Sequence, residues 1–178
     1  MREEFSNLSP EVFEKIRDKL FSTFNRYGLK YKVFGGTVMN FLDDSRGTSD
    51  VDMTIKQDMA EVHKFADALA ECGYGTKEET FEGVFGADPQ TEEYLFALSR
   101  IYSDNPEFAG FHIDLTFDFG QIKYDAIETV EQTVNGITVN MATLPQMLKL
   151  KKGTDPLLAK DIRDILFLEN ILGDDEPI

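Results

Sequence analysis

Apolar residues recur along the chain at two spacings, and each spacing predicts one kind of secondary structure. From residue 12 onward they return every three or four positions, which predicts a helix that buries one face. The apolar positions of this helix are Val12, Phe13, Ile16, Leu20, Phe21 and Phe24. Ser9 and Pro10 are typical of a helix start and Gly28 of a helix end, so the sequence also predicts where this helix begins and stops.

Further helices are predicted from the same spacing and from residues that favour helix ends. They are 37–42, a helix that Asp58 caps and Gly73 ends, a helix that starts at 143–145, and a last helix with Asp155 as its cap and Pro156 at its first position. Short runs rich in apolar or alternating residues, between turn signals, predict strands. These runs are Tyr31–Phe34, 50–55, 81–85, 93–102, 111–119 and 136–142.

The order of these elements predicts an α/β (α+β) fold in which helices pack on a mixed β-sheet. No repeat, low-complexity tract or linker divides the chain, so residues 1–178 are predicted to form a single domain. The carboxy-terminal helical pair, 143–172, is expected to be part of that domain.

Asp50 and Asp52 stand one residue apart in the strand predicted at 50–55, downstream of the glycine pair Gly35 and Gly36. Because strand side chains alternate between faces, both carboxylates point the same way and repel each other. A hard divalent cation such as Mg²⁺, which prefers oxygen ligands, would turn this repulsion into shared coordination. Taken alone, the pair also fits a solvated edge strand, so the residues around it decide between a metal site and such a strand.

A third carboxylate, Asp114, lies in the strand predicted at 111–119. If this strand lies beside 50–55, Asp114 joins the pair on one face of the sheet. The glycine pair would let the backbone approach phosphates, and the start of the following helix favours negative charge. Such carboxylates can hold the two metal ions that clamp a phosphoryl group. His112, two residues before Asp114, is interpreted as a structural residue, with a minor catalytic role as the alternative.

Composition narrows the classes of partner. The formal charge of −15 repels polyanions, which argues against binding to duplex DNA and fits a cationic small molecule or a basic protein. The apolar runs are far shorter than the roughly 20 residues of a membrane span, so no membrane association is expected. The charged start is unlike a signal peptide, and the single cysteine, Cys72, fits a reducing compartment. The expected location is the cytoplasm.

In order, the segments "GGTVMNFLDDSRGTSDVDMTI" and "HIDLTF" resemble the nucleotidyltransferase, or polymerase-β-like, fold superfamily. That family has a glycine pair followed usually by Ser, an Asp-x-Asp strand, and a third Asp on a later strand. Thr37 stands at the Ser position and keeps the hydroxyl. The resemblance implies that Gly35, Gly36 and Thr37 cradle phosphates. It also implies that Asp50, Asp52 and Asp114 are catalytic residues that bind Mg²⁺, with a nucleoside triphosphate such as ATP as co-substrate.

The local pattern "RGTSDVD" and the segment "LPQMLKLKKGTDPLLAKDIRDILFL" are similar to one branch, the AbiEii-like enzymes of abortive-infection and toxin–antitoxin pairs. In that branch a helix with a lysine precedes a Lys-Asp-x-x-Asp segment. Lys151, Lys160, Asp161 and Asp164 fall on these positions. The resemblance implies that Lys151 reaches the triphosphate, and that Arg46 and Lys160 help to bind nucleotide. A solvated helical face is the alternative interpretation of these lysines.

Three functional hypotheses remain open on the sequence alone. The first is Mg²⁺-dependent transfer of a nucleoside monophosphate to a hydroxyl-type acceptor, either an RNA end or a partner protein, as the AbiEii-like resemblance implies. The second is transfer to a small molecule, as in the similar aminoglycoside and lincosamide nucleotidyltransferases, which the strong negative charge favours. The third is a non-catalytic module of the same fold that binds a basic partner through its acidic surface.

Overall fold

The computed structural model describes residues 9–43, 46–74, 98–103, 105–106, 110–116 and 122–173. The helices are α1 (Pro10–Arg26), α2 (Gly35–Leu42), α3 (Met59–Glu71), α4 (Leu144–Lys152) and α5 (Ala159–Leu172). The strands are β1 (Tyr31–Phe34), β2 (Asp50–Ile55), β3 (Leu98–Tyr102), β4 (His112–Thr116), β5 (Thr129–Val134) and β6 (Ile137–Ala142). Within these ranges, no helix is both long and apolar enough to cross a membrane.

The described strands form one mixed sheet with the order β3-β4-β2-β1-β6-β5, which confirms the predicted fold class. The β2 strand is central, antiparallel to β1 and parallel to β4. In the β2–β4 register, Asp50 lies opposite His112 and Asp52 lies opposite Asp114. Because facing residues of neighbouring strands share a sheet face, this register places all four side chains on the same side.

The other face of the sheet carries the hydrophobic core. Val51, Met53, Ile113 and Leu115 alternate with the polar residues and have no solvent exposure. They belong to the same buried cluster as the aromatic residues of α1 and α3, where the rings of Phe24 and Phe65 lie 5.8 Å apart. The apolar face thus fixes the register of β2 and β4, since a slip by one residue would turn the carboxylates toward the hydrophobic core.

Most predicted elements that fall within the described residues are confirmed. The strands at Tyr31–Phe34 and Asp50–Ile55 have the predicted limits, and Ser9 and Asp58 cap the predicted helices. The strand predicted at 81–85 lies outside the described residues, and the strands predicted at 93–102 and 111–119 are described only in part.

The predicted start of the last helix is wrong. The helix begins at Ala159, so neither Asp155 nor Pro156 opens it. Asp161 instead accepts a hydrogen bond from the Leu158 backbone N–H at 3.1 Å and so satisfies a donor at the helix start.

The sequence analysis also missed the β5 strand. This strand forms a hairpin with β6 around Asn135 and Gly136, whose φ values of 52° and 77° suit the tight turn that Asn-Gly favours. The strand lies at the edge of the sheet, and most of its residues are exposed. Its hydrophobic pattern is therefore weak, and the Asn-Gly pair was the only signal for it.

Candidate metal and nucleotide site

Three carboxylates and one imidazole meet where β2 and β4 run side by side. Asp50 and Asp52 come from β2, and His112 and Asp114 come from β4. One ligand atom each from Asp50, His112 and Asp114 lies within 4.8 Å of the other two. The sequence predicted that the aspartates would share one face, and the register of the two strands produces this arrangement.

The glycine pair lets the start of α2 approach Asp52. Gly35 has φ +67°, and a Cβ built on it would lie 2.0 Å from Asp52 Oδ2, so a side chain is excluded on two grounds. The backbone N–H of Gly36 donates a hydrogen bond to the same oxygen at 3.2 Å. A Cβ on Gly36 would lie 2.9 Å from Thr48 Oγ1. Gly35 therefore stands where only backbone fits against β2, and Gly36 lies close to the Thr48 side chain just before that strand.

Two threonine hydroxyls hold Asp50 in place. Thr37 is fully buried, and its hydroxyl donates to the Asp50 backbone oxygen at 2.9 Å. Thr48 donates to the Asp50 carboxylate at 2.6 Å. That Thr37 helps to cradle phosphate stays a prediction, and in the structure its hydroxyl ties α2 to β2.

His112 lies between two of the carboxylates. Its Nε2 atom is 3.7 Å from Asp50 Oδ2 and 3.6 Å from Asp114 Oδ2, while the residue is only 4% exposed. Neither ring nitrogen has a hydrogen-bond partner among the described residues. The proximity of Asp114, and then of Asp50, raises the pKa of the imidazole despite its burial. The sequence analysis interpreted His112 as structural, although strand alternation had already put it beside Asp114.

Arg100 on β3 is a site residue that the sequence analysis missed. Its Nε donates to Asp114 Oδ1 at 2.8 Å, and a terminal nitrogen donates to Oδ2 at 2.9 Å. Burial alone would raise the pKa of Asp114, but His112 and Arg100 outweigh it and lower the pKa to about 2. No local pattern marks Arg100, because its role depends on the pairing of β3 with β4.

Asp52 has the opposite electrostatic environment. Burial, followed by repulsion from Asp50, raises the pKa of Asp52 to about 7, although the Gly36 N–H favours its charged form. The two neighbouring β2 carboxylates thus destabilise each other without a cation. Attraction to Lys151 opposes this effect, which places that lysine in the electrostatic surroundings of the site.

Two of the predicted phosphate-binding cations take part in ion pairs. Arg46 donates from two nitrogens to the two carboxylate oxygens of Asp164 at 3.0 and 3.1 Å. Lys151 Nζ lies 3.0 Å from Asp161 Oδ1 and 2.9 Å from Asp164 Oδ2. These four residues, here called the ion-pair cluster, connect the segment before β2 to α4 and α5. The predicted nucleotide-binding residue Lys160 is exposed near the start of α5.

The residues at the site fit a divalent cation. Two ligands of one ion, each about 2.1 Å from it, lie at most about 4.2 Å apart. The His112 distances of 3.6 and 3.7 Å meet that limit, and all three ligand atoms lie within 4.8 Å of one another, so a small adjustment brings the set around one ion. A buried imidazole with no hydrogen-bond partner in the described part of the chain and a raised pKa at Asp52 are both features that a bound cation would relieve.

Comparison with known proteins gives likenesses of fold alone. The sequence matches no protein-family model and no curated protein. An antigenic nucleotidyltransferase-like protein from Paracoccidioides brasiliensis has a similar structure, with a TM-score of 0.56 and 18% identity over 92% of this chain and 77% of that one. A crystal structure of ANT(2")-Ia in complex with adenylyl-2"-tobramycin also has a TM-score of 0.56, with 11% identity over 89% of this chain and 88% of that one. Its solution structure gives the same TM-score, with 13% identity over 93% and 86% of the two chains.

Proposed function

From the nucleotidyltransferase fold that these likenesses show, we propose that the chain is a metal-dependent nucleotidyltransferase. It would transfer a nucleoside monophosphate from a nucleoside triphosphate to a hydroxyl-type acceptor. The observation that carries the proposal is the placement of Asp50, Asp52 and Asp114 on one face of two adjacent strands. The Gly35–Gly36 backbone lies directly against that face. A fold whose catalytic residues had decayed would have no need to keep this crowded group.

In the transfer step, the acceptor oxygen attacks the α-phosphorus of the triphosphate and forms a new P–O bond. The bond from that phosphorus to the oxygen of the β-phosphate breaks, and pyrophosphate leaves. The hydroxyl proton passes to a carboxylate of the site, a role that the sequence analysis gave to Asp114. Arg100 contacts both oxygens of Asp114, and the second lone pair of each oxygen stays available to accept the proton.

Each remaining group has a task that follows from its position. Asp50, His112 and Asp114 would hold a divalent ion, Mg²⁺ by the sequence-based expectation, with a second ion at Asp52. Bound ions would supply positive charge to the phosphate oxygens. The backbone at Gly35 and Gly36 gives the triphosphate close access to the start of α2. Lys151 and Arg46 lie in the electrostatic surroundings of Asp52 and Asp50, where they would act on the triphosphate, although Asp161 and Asp164 offset part of their charge.

The AbiEii-like branch remains part of the proposal through its motif residues. Lys151 pairs with both Asp161 and Asp164, and all three fall on positions of that branch. An RNA end or a partner protein would then be the acceptor. In such a motif, the two aspartates would hold the lysine in place beside the triphosphate.

A cationic small molecule is the second candidate acceptor, and a specific observation favours it. Two of the lysines at the end of α4 that could attract RNA are neutralised, since Lys151 pairs with two aspartates and Lys152 lies 2.7 Å from Glu169. With a formal charge of −15, the chain as a whole attracts cations rather than polyanions. One of the similar structures, ANT(2")-Ia, holds adenylyl-2"-tobramycin.

Labelling experiments test the function and the acceptor together. The protein would be incubated with each α-labelled nucleoside triphosphate, Mg²⁺ or Mn²⁺, and cell extract, beside the Asp50→Asn variant and the control Asp125→Asn, an exposed residue away from the site. We expect wild type and Asp125→Asn to transfer label and Asp50→Asn to lose at least about 100-fold in rate, the scale of one lost electrostatic contact in a transition state.

The fate of the label identifies the acceptor. Loss of labelled product to ribonuclease indicates RNA, and loss to protease indicates protein. Passage through a small-pore filter, with tobramycin as a defined probe, indicates a small molecule. Equal labelling by wild type and Asp50→Asn would contradict the enzymatic proposal. A stoichiometric basic partner with no labelling would favour the non-catalytic module.

A further inference from the structure

The nitrogen ligand distinguishes this site from one built of carboxylates alone. His112 Nε2 lies at nearly equal distances from Asp50 Oδ2 and Asp114 Oδ2, 3.7 and 3.6 Å. Both distances are too long for hydrogen bonds and match the separation of two ligands that share an ion. The residue is 96% buried, and its ring nitrogens have no hydrogen-bond partner within the described residues. In the absence of an ion, Nε2 is held only by long ion pairs with these two carboxylates, and a shared ion would give all three groups a direct partner.

The ring is also held in this orientation by its surroundings. Its centroid lies 5.5 Å from that of the Tyr102 ring on the neighbouring strand, at an angle of 43°. The backbone N–H of His112 donates to the Ser49 oxygen at 3.2 Å, which joins the start of β4 to the start of β2. The imidazole therefore faces the two carboxylates because of packing and strand register.

We propose that His112 Nε2 coordinates the divalent ion together with Asp50 and Asp114, and that this nitrogen makes the site favour a first-row transition ion, such as Mn²⁺ or Co²⁺, over Mg²⁺. The inference deepens the proposed function, on which it rests for the role of the ion. Mg²⁺ binds mainly oxygen and gives up its water reluctantly, whereas transition ions gain from an imidazole lone pair.

The charge of the site also favours a transition ion over Mg²⁺. Arg100 contributes a positive charge to the two oxygens of Asp114 and offsets the negative charge of that ligand. Each carboxylate oxygen has two lone pairs, so Asp114 Oδ2 can accept from Arg100 and still bind an ion. A less negative site reduces the affinity for Mg²⁺, which is held mainly by charge. It reduces the affinity less for a transition ion, which also bonds to nitrogen.

Two measurements on the full chain test the proposal, with Mn²⁺ and Mg²⁺ alone as probes. Electron spin-echo spectroscopy of bound Mn²⁺ detects a directly coordinated imidazole through its ¹⁴N coupling. Competition of Mg²⁺ against bound Mn²⁺ gives the ratio of the two affinities. The variants are His112→Gln, His112→Asp, which makes an all-oxygen set, and the control His63→Gln on α3.

We expect ¹⁴N coupling in wild type and His63→Gln and its loss in both His112 variants. Because oxygen-only sites also favour Mn²⁺ somewhat, the decisive quantity is the change in the affinity ratio, which should fall about ten-fold in His112→Gln and His112→Asp. Mn²⁺ binding without ¹⁴N coupling in wild type, or an unchanged ratio in the His112 variants, would overturn the proposal. If a variant fails to fold by circular dichroism, the wild-type spectrum decides alone.

The failure of this inference is distinguishable from failure of the proposed function. Label transfer with Mg²⁺ and no ¹⁴N coupling would leave the nucleotidyltransferase and remove the role of His112. Coupling and a Mn²⁺ preference without transfer of label to any acceptor would leave the metal site and remove the enzyme.

Discussion

Arg100 and Asp114 form a two-point ion pair at the centre of the site, with nitrogen–oxygen distances of 2.8 and 2.9 Å. The same carboxylate is a candidate metal ligand, so one aspartate pairs with an arginine on β3 and would also bind an ion between β4 and β2. The pair lowers the pKa of Asp114 to about 2 together with His112, against the effect of burial. Arg100 therefore keeps Asp114 charged and at the same time competes with a cation for it.

Replacement of Arg100 with glutamine should separate these two effects. Without metal, Arg100→Gln leaves a buried carboxylate with fewer donors, which should cost about 1 kcal/mol because the arginine is partly exposed and water can replace it. With Mn²⁺, the variant should regain that stability and bind the ion several-fold more tightly, since a competing positive charge is gone.

Thermal unfolding of Arg100→Gln with and without Mn²⁺ measures both effects. The matched control is Arg163→Gln, an exposed arginine on α5, which should behave like wild type in both conditions. If Mn²⁺ stabilises Arg100→Gln no more than it stabilises wild type, Arg100 does not compete with the ion.

Gly35→Ala should disturb the site far more than it disturbs the backbone. The added methyl group would stand 2.0 Å from Asp52 Oδ2 at φ +67°. Gly28→Ala is the matched control, since its φ of +63° carries similar strain of about 1 kcal/mol with no atom within 4 Å of the new Cβ. We expect both variants to lose comparable backbone stability and only Gly35→Ala to lose nucleotide binding as well, measured by calorimetry. Equal nucleotide affinity in the two variants would mean that the close approach of Gly35 to Asp52 has no functional role.

Lys151→Met should reduce stability strongly. The side chain of Lys151 is 12% exposed, and its removal leaves Asp161 with fewer donors and Asp164 with Arg46 alone. Breaking a buried pair of this kind costs about 3–5 kcal/mol, whereas Lys149→Met, exposed on the same helix, should cost less than about 1 kcal/mol. Denaturant unfolding gives both values. At a temperature where both variants are folded, a lower turnover with unchanged nucleotide affinity in Lys151→Met alone would show that the lysine also acts in the transition state.

The ion-pair cluster predicts a loss of stability in acid. Burial alone would raise the pKa of Asp164, but Arg46 and Lys151 outweigh it and lower the pKa below its usual value. A carboxylate whose pKa is lower in the folded state stabilises the protein above its unfolded pKa of about 3.9, and this contribution is lost as the pH falls through the folded pKa. Asp164→Asn should therefore be less stable at pH 7 and show a shallower decline in stability below about pH 4. Unfolding titrations from pH 7 to pH 2, with Asp125→Asn as control, check the sign: a decline as steep in Asp164→Asn as in wild type would show that other groups cause it.

The sequence predicted the parts of the site that depend on local pattern. Alternation along 50–55 separated Asp50 and Asp52 from Val51 and Met53, and the same rule applied to Asp114. Residues whose role depends on tertiary pairing could not be identified from the sequence. Arg100 meets Asp114 only because β3 pairs with β4, and no spacing in the chain indicates that pairing.

The same difference between local pattern and tertiary pairing applies to the C-terminal helices. Asp161 and Asp164 stand three residues apart and so share a helix face, which the sequence indicates. That this face turns toward Lys151 and Arg46 depends on how α5 packs on α4. The carboxylates that pair with Lys151 and Arg46 could therefore not be identified from the sequence, and a phosphate contact of these two cations stays a prediction.

The ion pair between Arg46 and Asp164 joins residues 118 positions apart in the chain. During synthesis on a ribosome, which proceeds from the amino terminus, the Asp-x-Asp strand leaves the exit tunnel long before α5 exists. A nascent chain that has just produced β4 thus carries all of its candidate metal ligands but lacks the carboxylate that Arg46 later pairs with. Arg46 and Lys151 gain the carboxylates of Asp161 and Asp164 only once α5 has been synthesised, so the two cations are fixed in place after the candidate metal ligands.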